Sequence, residues 1–210
     1  RTAQMAYDLG FDGVPVFYSW PANGDLLDYS ADEADVRWTV PHLQGFLEEL
    51  AAESGAQKIH LIAHSMGNRA VTDALRFIAL KHQEPLFNQV ILTAPDVDAD
   101  VFVRDIVPAI RPVAERLTLY ASSGDRALQM SKTLHQYPRA GESGEHLIVA
   151  EGLDTTDVSR IDTDLLGHSY FAETRALLTD LYLLLQHGHP PSQRNLLEHR
   201  RSMLRFWTLR

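Results

Sequence analysis

Short, almost wholly apolar runs alternate along this chain with longer stretches in which apolar residues recur every three or four positions. The short runs have the length and composition of strands that are buried on both faces. They cover residues 14–20, 58–63, 89–94, 116–121 and 146–150. Alternation of strands and helices predicts an α/β fold with a doubly wound, mostly parallel sheet and helices on both faces. The first predicted strand should run parallel to the second.

The longer stretches predict helices. They cover residues 1–9, 34–53, 66–81, 100–114, 126–135 and 169–186. In the second helix, Val36, Val40, Leu43 and Leu47 recur at helical spacing and form one apolar face. Pro41 is expected to kink this helix or to restart it. The first helix is expected to pack on the sheet.

No linker rich in Pro, Gly or Ser divides the chain. Residues 1–186 are therefore interpreted as one domain, and residues 187–210 as a C-terminal basic amphipathic tail. The tail carries several arginines together with leucines, Phe206 and Trp207. The simplest interpretation is a helix docked on the domain, and the alternative is a helix that binds a membrane surface or a partner.

Composition narrows the classes of function. The 210 residues carry a formal net charge of −9, which argues against nucleic-acid binding because phosphate recognition needs clustered Lys and Arg. Cysteine is absent, which excludes disulfides and thiolate metal sites and suits a cytoplasmic or an exported protein equally. No apolar run approaches the ~18 residues of a membrane-spanning helix, so no transmembrane segment is predicted. Glycine-rich phosphate loops are absent and the spacing of His187, His189 and His199 matches no zinc motif, so no cofactor or metal is predicted.

The most informative segment is Ala63-His64-Ser65-Met66-Gly67, which links a predicted strand to a predicted helix. In a nucleophile elbow, such a sharp turn lifts the serine hydroxyl above the edge of the sheet. The residues two before and two after the serine must then be small. Gly67 meets this requirement, whereas Ala63 stands where the usual pattern has Gly. The alternative is that Ser65 only N-caps the helix.

A serine hydroxyl needs a histidine to take its proton and an acid to orient that histidine. Asp125 lies in a polar loop after the fourth predicted strand, and His168 directly precedes the last predicted helix. Ser65, Asp125 and His168 therefore follow in the order that an α/β hydrolase requires. Taken singly, Asp125 is also a possible N-cap and His168 a solvated loop residue. Asp96, after the third predicted strand, is the alternative acid.

These motifs resemble a bacterial family of uncharacterised α/β hydrolases of the esterase/lipase type. The resemblance extends over residues 1 to about 186 and rests on segments 17–21, 59–68, 94–98, 120–125 and 167–170, with Tyr29, Asp32 and Glu33. It implies the fold and the triad but not the substrate. His64 adjoins Ser65, and neighbouring side chains on a sharp turn point apart, so His64 is expected to shape the substrate pocket rather than to act on the serine. Trp20 is also expected to shape this pocket.

The same resemblance implies an oxyanion hole, for which the backbone N–H of Met66 is the first donor. The second donor usually comes from a loop after an earlier strand, often marked by His-Gly. That strand should precede the helix that begins at Arg1, and it is not in this sequence. We therefore expect this chain to lack the N-terminal strands of its domain. The sequence predicts a serine hydrolase that cleaves a small-molecule ester or related acyl compound through an acyl-enzyme at Ser65. The alternatives are a non-catalytic ligand-binding or scaffold protein with the same fold, and a peptidase or amide hydrolase with the same triad.

Overall fold

One mostly parallel sheet organises the chain. The computed structural model describes residues 2–22, 29–123, 131, 137–160 and 171–210. Its strands are β1 (His60–His64), β2 (Phe87–Thr93), β3 (Ala114–Ala121), β4 (Leu153–Asp157), β5 (Leu196–Arg201) and β6 (Leu204–Leu209). They lie in the order β1-β2-β3-β4-β6-β5. Every neighbouring pair is parallel except β5 with β6, which is antiparallel.

Helices connect these strands. They are α1 (Thr2–Asp8), α2 (Tyr29–Glu53), α3 (Gly67–Ala79), α4 (Ala99–Val101), α5 (Val107–Ile110) and α6 (Phe171–His187). A π-helical turn at Phe102–Ile106 joins α4 to α5, and Asp98 caps α4 by accepting hydrogen bonds from two backbone N–H groups. Helix α2 continues through Pro41 without ending there. Among the described helices, none combines the length and the apolar composition that crossing a membrane requires.

Alternate side chains of the strands enter two separate cores, because successive residues of a strand point to opposite faces. On one face, Val90 and Leu92 of β2 pack with α2 and α3. On the other face, Ile91 packs with α6 and with Leu9, which follows α1. Both faces of the sheet are therefore covered by helices, which confirms the predicted α/β architecture and the packing of the first helix.

Residues 14–20 do not form a strand, so the prediction of a strand there that runs parallel to β1 was wrong. Within the described ranges, β1 lies at an edge of the sheet and pairs with β2 alone. An extended apolar segment becomes a strand only where another strand accepts its backbone hydrogen bonds. Val14, Val16 and Phe17 are accordingly exposed, whereas Tyr18 and Trp20 pack against the first core.

The strand predicted at residues 146–150 was also misplaced. Residues 147–150 have no regular structure, and β4 begins at Leu153, after the left-handed Gly152. The search for apolar runs did not predict strand β4, because its buried positions include Thr155 and Thr156. Threonine is β-branched and suits a strand despite its hydroxyl.

The predicted C-terminal helix is instead a β-hairpin. Ser202, with φ 57°, lies in the tight turn between β5 and β6, as two-residue hairpin loops require. Trp207 and Leu209 are buried while their neighbours are less so, which is the period of a strand rather than of a helix. Because β6 pairs with β4, the hairpin extends the main sheet.

Candidate active site

Ser65 lies in the turn between β1, which ends at His64, and α3, which begins at Gly67. Its backbone has φ 50°, in the left-handed region that residues other than Gly seldom adopt. Its N–H donates to the carbonyl oxygen of Thr93 at 3.0 Å, so the turn is tied to the end of β2. The segment thus has the strained strand-to-helix backbone of a nucleophile elbow at the carboxyl end of a parallel strand.

Three donors fix the carbonyl of Ser65. The backbone N–H of Asn68 lies 3.1 Å away, its side-chain Nδ2 lies 2.9 Å away, and the N–H of Asp96 lies 3.3 Å away. The Nδ2 group of the fully buried Asn68 also donates to the Thr93 carbonyl at 3.0 Å. The Asn68 side chain therefore joins the Ser65 turn to the neighbouring strand end and helps to hold the strained conformation.

The Ser65 side chain does not cap the following helix. The N-cap position of α3 is Met66, and no side-chain hydrogen bond caps this helix. Within the part of the chain that the structure describes, neither the Ser65 hydroxyl nor the Met66 N–H makes a hydrogen bond. The first backbone N–H groups of a helix lack partners inside the helix, so the Met66 N–H is a suitable donor for an oxyanion.

The small residues around Ser65 have unequal surroundings. Ala63 is buried in the first core. At Gly67, a Cβ atom would meet no atom of the described chain within 4 Å, and the backbone is not left-handed there. The expectation that the residue two after the serine must be small is therefore not supported by close contacts at Gly67.

Asp96 lies in the turn that follows β2, on the same edge of the sheet as Ser65, and its side chain is 2% exposed. One carboxylate oxygen accepts a hydrogen bond from the Tyr29 hydroxyl and lies 3.4 Å from Arg69 Nη2. The other accepts from the Ser131 hydroxyl and lies 3.2 Å from Arg139 Nε. Both oxygens of this alternative triad acid are therefore already held by hydrogen-bond donors and cations.

Arg69 connects Asp96 to helix α2. Its Nε donates to the carbonyl oxygen of Asp96 at 2.6 Å, its Nη2 donates to the Tyr29 hydroxyl at 2.9 Å, and its Nη1 pairs with Glu33. Burial, and next the hydrogen bond to Asp96, raise the pKa of Tyr29 to about 12. Tyr29 therefore keeps its proton at neutral pH and acts as a donor to the Asp96 carboxylate.

His64 and Trp20 are the residues predicted to shape a pocket. His64 lies at the end of β1 and borders a small apolar cavity on the α6 side of the sheet. The cavity is lined by Met5, Ile62, His64, Thr93, Tyr120, Leu177 and Leu181. Trp20 is partly buried and packs against the first core, on the side of α2 and α3.

Asp125 and His168 lie outside the described residues, and so does the helix predicted at residues 126–135 apart from Ser131, which is helical. The residues that precede Asp125 are well anchored. The Ser122 N–H donates to the Gly141 carbonyl at 2.9 Å, and the Ser123 N–H donates to the Ser159 hydroxyl at 2.9 Å. Strand β3 runs parallel to β2 and β1, so its last residue lies at the same end of the strands as Ser65.

The three C-terminal histidines lie at the end of α6, in the segment after it and in β5. The rings of His187 and His189 lie 5.3 Å apart, and His199 shares a hydrogen bond with the Thr208 hydroxyl at 3.0 Å. Among the described residues, no group of three or more His, Cys, Asp or Glu side chains is arranged to hold a metal ion.

Sequence reasoning did not single out Asn68, Arg69 or Arg139. Asn68 has a weak signal, because asparagine in the first turn of a helix often hydrogen-bonds nearby backbone. Arg139 has none, because a single arginine in a polar stretch is expected to be solvated, whereas here it is 4% exposed.

Comparison with known proteins agrees with this geometry. Residues 1–186 match the model of a family described as alpha/beta hydrolase of unknown function (DUF900). An uncharacterized protein of Nostoc sp. (strain PCC 7120 / SAG 25.82 / UTEX 2576), alr1448, is 34% identical over 70 residues. That match covers 33% of this chain and 18% of the Nostoc protein. No solved structure matches the chain.

Proposed function

The chain belongs to this family of α/β hydrolases of unknown function, and from that premise we propose that it is a serine hydrolase acting on an ester or related acyl compound. The observation that carries the proposal is the left-handed Ser65, with φ 50°, between a parallel strand and a helix. Strain of this kind costs on the order of 1–3 kcal/mol and concentrates at functional sites. A serine that only caps a helix has no need of it.

In the proposed reaction, Ser65 Oγ attacks the acyl carbonyl carbon while His168 takes the hydroxyl proton. The Met66 N–H donates to the oxygen of the tetrahedral intermediate. Collapse of the intermediate breaks the bond to the leaving alcohol, which receives its proton from His168. Water then attacks the acyl-enzyme with His168 as the base, and the acid is released with regeneration of Ser65.

We assign the orienting acid to Asp125 rather than to Asp96. A triad acid must accept the imidazole N–H, and the Asp96 carboxylate is buried and already bound to Tyr29, Ser131 and two arginines. In the chain, Asp125 comes four residues after the end of β3, and β3 runs parallel to β2 and β1, which supports this assignment.

Hydrolysis of a short p-nitrophenyl ester by the full-length protein tests the proposal. We expect kcat/KM to rise with pH through an apparent pKa of about 6–7, because His168 must be neutral to accept the Ser65 proton. Ser65→Ala and His168→Ala should each lose several orders of magnitude, and the double variant should lose little more. Hydrolysis by Ser65→Ala at the wild-type rate would exclude this mechanism and favour a ligand-holding role.

A further inference from the structure

A second strained turn lies one strand away from Ser65. Ala94 directly follows β2 and has φ 44°, although it is not a glycine. Two hydrogen bonds join the turns, from the Ser65 N–H to the Thr93 carbonyl at 3.0 Å and from the Asp96 N–H to the Ser65 carbonyl at 3.3 Å. The conformation of Ser65 therefore depends on where the turn after β2 is held.

The side chain of Asp96 holds that turn from several directions. Its carboxylate accepts hydrogen bonds from Tyr29 of α2 and from Ser131, and it pairs with Arg69 of α3 and with Arg139. Arg69 also donates to the backbone carbonyl of Asp96 at 2.6 Å, so the main chain and the side chain of the same residue are both fixed.

Ion pairs surround Asp96. Those between described residues join Arg69 to Asp96 and Glu33, and Arg139 to Asp96. A buried carboxylate between two guanidinium groups has a fixed position, because moving it would leave cations without their partner. The arrangement suits an anchor that does not move during a reaction.

Resting on the proposed function, we propose that Asp96 is a positioning residue that keeps Ser65 in its reactive conformation. Its carboxylate fixes the turn after β2, and the N–H of the same residue fixes the Ser65 carbonyl. In this role Asp96 acts on the reaction through the Ser65 turn rather than by binding substrate or by orienting the base.

Asp180 provides a matched control. Like Asp96, it is a buried carboxylate that accepts a hydrogen bond from a tyrosine hydroxyl, here that of Tyr120, and pairs with an arginine, Arg194. It lies on α6, and neither of the hydrogen bonds that its carboxylate makes with described residues reaches the turn that contains Ser65. Asp96→Asn and Asp180→Asn therefore both remove a buried negative charge. Of the two residues, Asp96 is the one whose backbone N–H donates to the Ser65 carbonyl.

The test measures ester hydrolysis, its pH profile and urea unfolding for both variants of the full-length protein. After correction for the folded fraction, Asp96→Asn should lower kcat by ~10–100-fold with little change in KM, as small misplacements of a reacting group do. The apparent pKa of its pH profile should equal that of the wild type. Asp180→Asn should keep the wild-type kcat. Tyr29→Phe, which removes only one donor to Asp96, should lower kcat less than Asp96→Asn.

Two outcomes would overturn the positioning role alone. One is an equal kcat in Asp96→Asn and Asp180→Asn while Ser65→Ala is inactive, which would make the Asp96 network structural only. The other is a loss of ~10⁴-fold in Asp96→Asn with little loss in Asp125→Asn, which would make Asp96 the triad acid. Full activity in Ser65→Ala would overturn the proposed function itself, and the positioning role with it.

Discussion

Asn68 should matter more to this protein than its ordinary place in a helix suggests. Its Nδ2 group makes two buried hydrogen bonds, at 2.9 Å to the Ser65 carbonyl and at 3.0 Å to the Thr93 carbonyl. Both carbonyls retain a backbone donor when the side chain is removed. The Oδ1 atom has no partner among the described residues, so only two bonds are lost. At ~0.5–1.5 kcal/mol per bond, Asn68→Ala should lower the free energy of unfolding by about 1–3 kcal/mol.

Two further variants test whether the hydrogen bonds of the Asn68 side chain account for the loss of stability. Asn68→Asp is nearly isosteric, but it replaces the donor with a carboxylate that faces two carbonyl oxygens, so it should cost more than Asn68→Ala. Thr72→Val, one turn along α3, removes the Thr72 hydroxyl, which donates to the Asn68 carbonyl at 2.7 Å. It should cost only about 0.5–1.5 kcal/mol.

Urea unfolding followed by circular dichroism gives these free energies, and ester hydrolysis gives the effect on the elbow. Asn68→Ala should lower kcat by roughly tenfold or more because Ser65 loses part of its support, whereas Thr72→Val should keep the wild-type kcat. The reasoning is refuted if Asn68→Ala costs no more than Thr72→Val, or if Asn68→Asp is the most stable of the three variants.

The remaining predictions concern the second core and the elbow. Arg194→Met leaves the Asp180 carboxylate buried without its cation and should lower the free energy of unfolding by about 3–5 kcal/mol. The double variant with Asp180→Leu should recover part of this loss, and no recovery would contradict a coupled pair. Burial raises the pKa of Asp180 above its ordinary value of 3.8, so the folded state binds this proton more tightly than the unfolded state does. The contribution of Asp180 to the free energy of unfolding therefore declines as pH rises from 3.8 through the raised pKa. Asp180→Asn should remove that decline, and an unchanged curve of unfolding free energy against pH would contradict the assignment. Gly67→Ala should leave the free energy of unfolding unchanged or raise it by up to ~1 kcal/mol, because the added methyl group meets no described atom and alanine favours the helix. A loss of stability would contradict this account, since it would require a close contact at position 67.

The sequence was sufficient to predict the strand, turn and helix around Ser65, because a local pattern determines them. An apolar strand, a serine flanked by small residues and an amphipathic helix follow one another without a gap, and the structure has β1, Ser65 and α3 in that order. The α/β class was likewise predictable from the alternation of strands and helices.

Elements that depend on distant partners were predicted less well. Residues 14–20 have the composition of a strand but lack a neighbouring strand in the described structure. Strand β4 is rich in threonine, so hydrophobic periodicity passed over it in favour of the more apolar residues 146–150. The tail was interpreted as a helix because its arginines and apolar residues fit either period, and pairing with β4 decided in favour of strands.

The polar network around Asp96 could not be predicted from the sequence either, because it too depends on contacts between distant segments. Tyr29, Arg69, Asp96 and Arg139 come from separate segments, and no local spacing relates them. Arg194 and Asp180 meet in the second core in the same way, across two segments whose contact only the folded chain reveals.

Covalent labelling with a fluorophosphonate tests the central claim most directly, because the probe reacts with an activated serine by displacement of fluoride. Intact-mass and peptide analysis of the full-length protein should show one adduct, located on Ser65. Ser65→Ala should abolish the adduct, whereas Ser54→Ala, at an exposed serine before β1, should label like the wild type. An unlabelled wild-type protein, or an adduct that persists in Ser65→Ala, would contradict the assignment of Ser65 as the nucleophile.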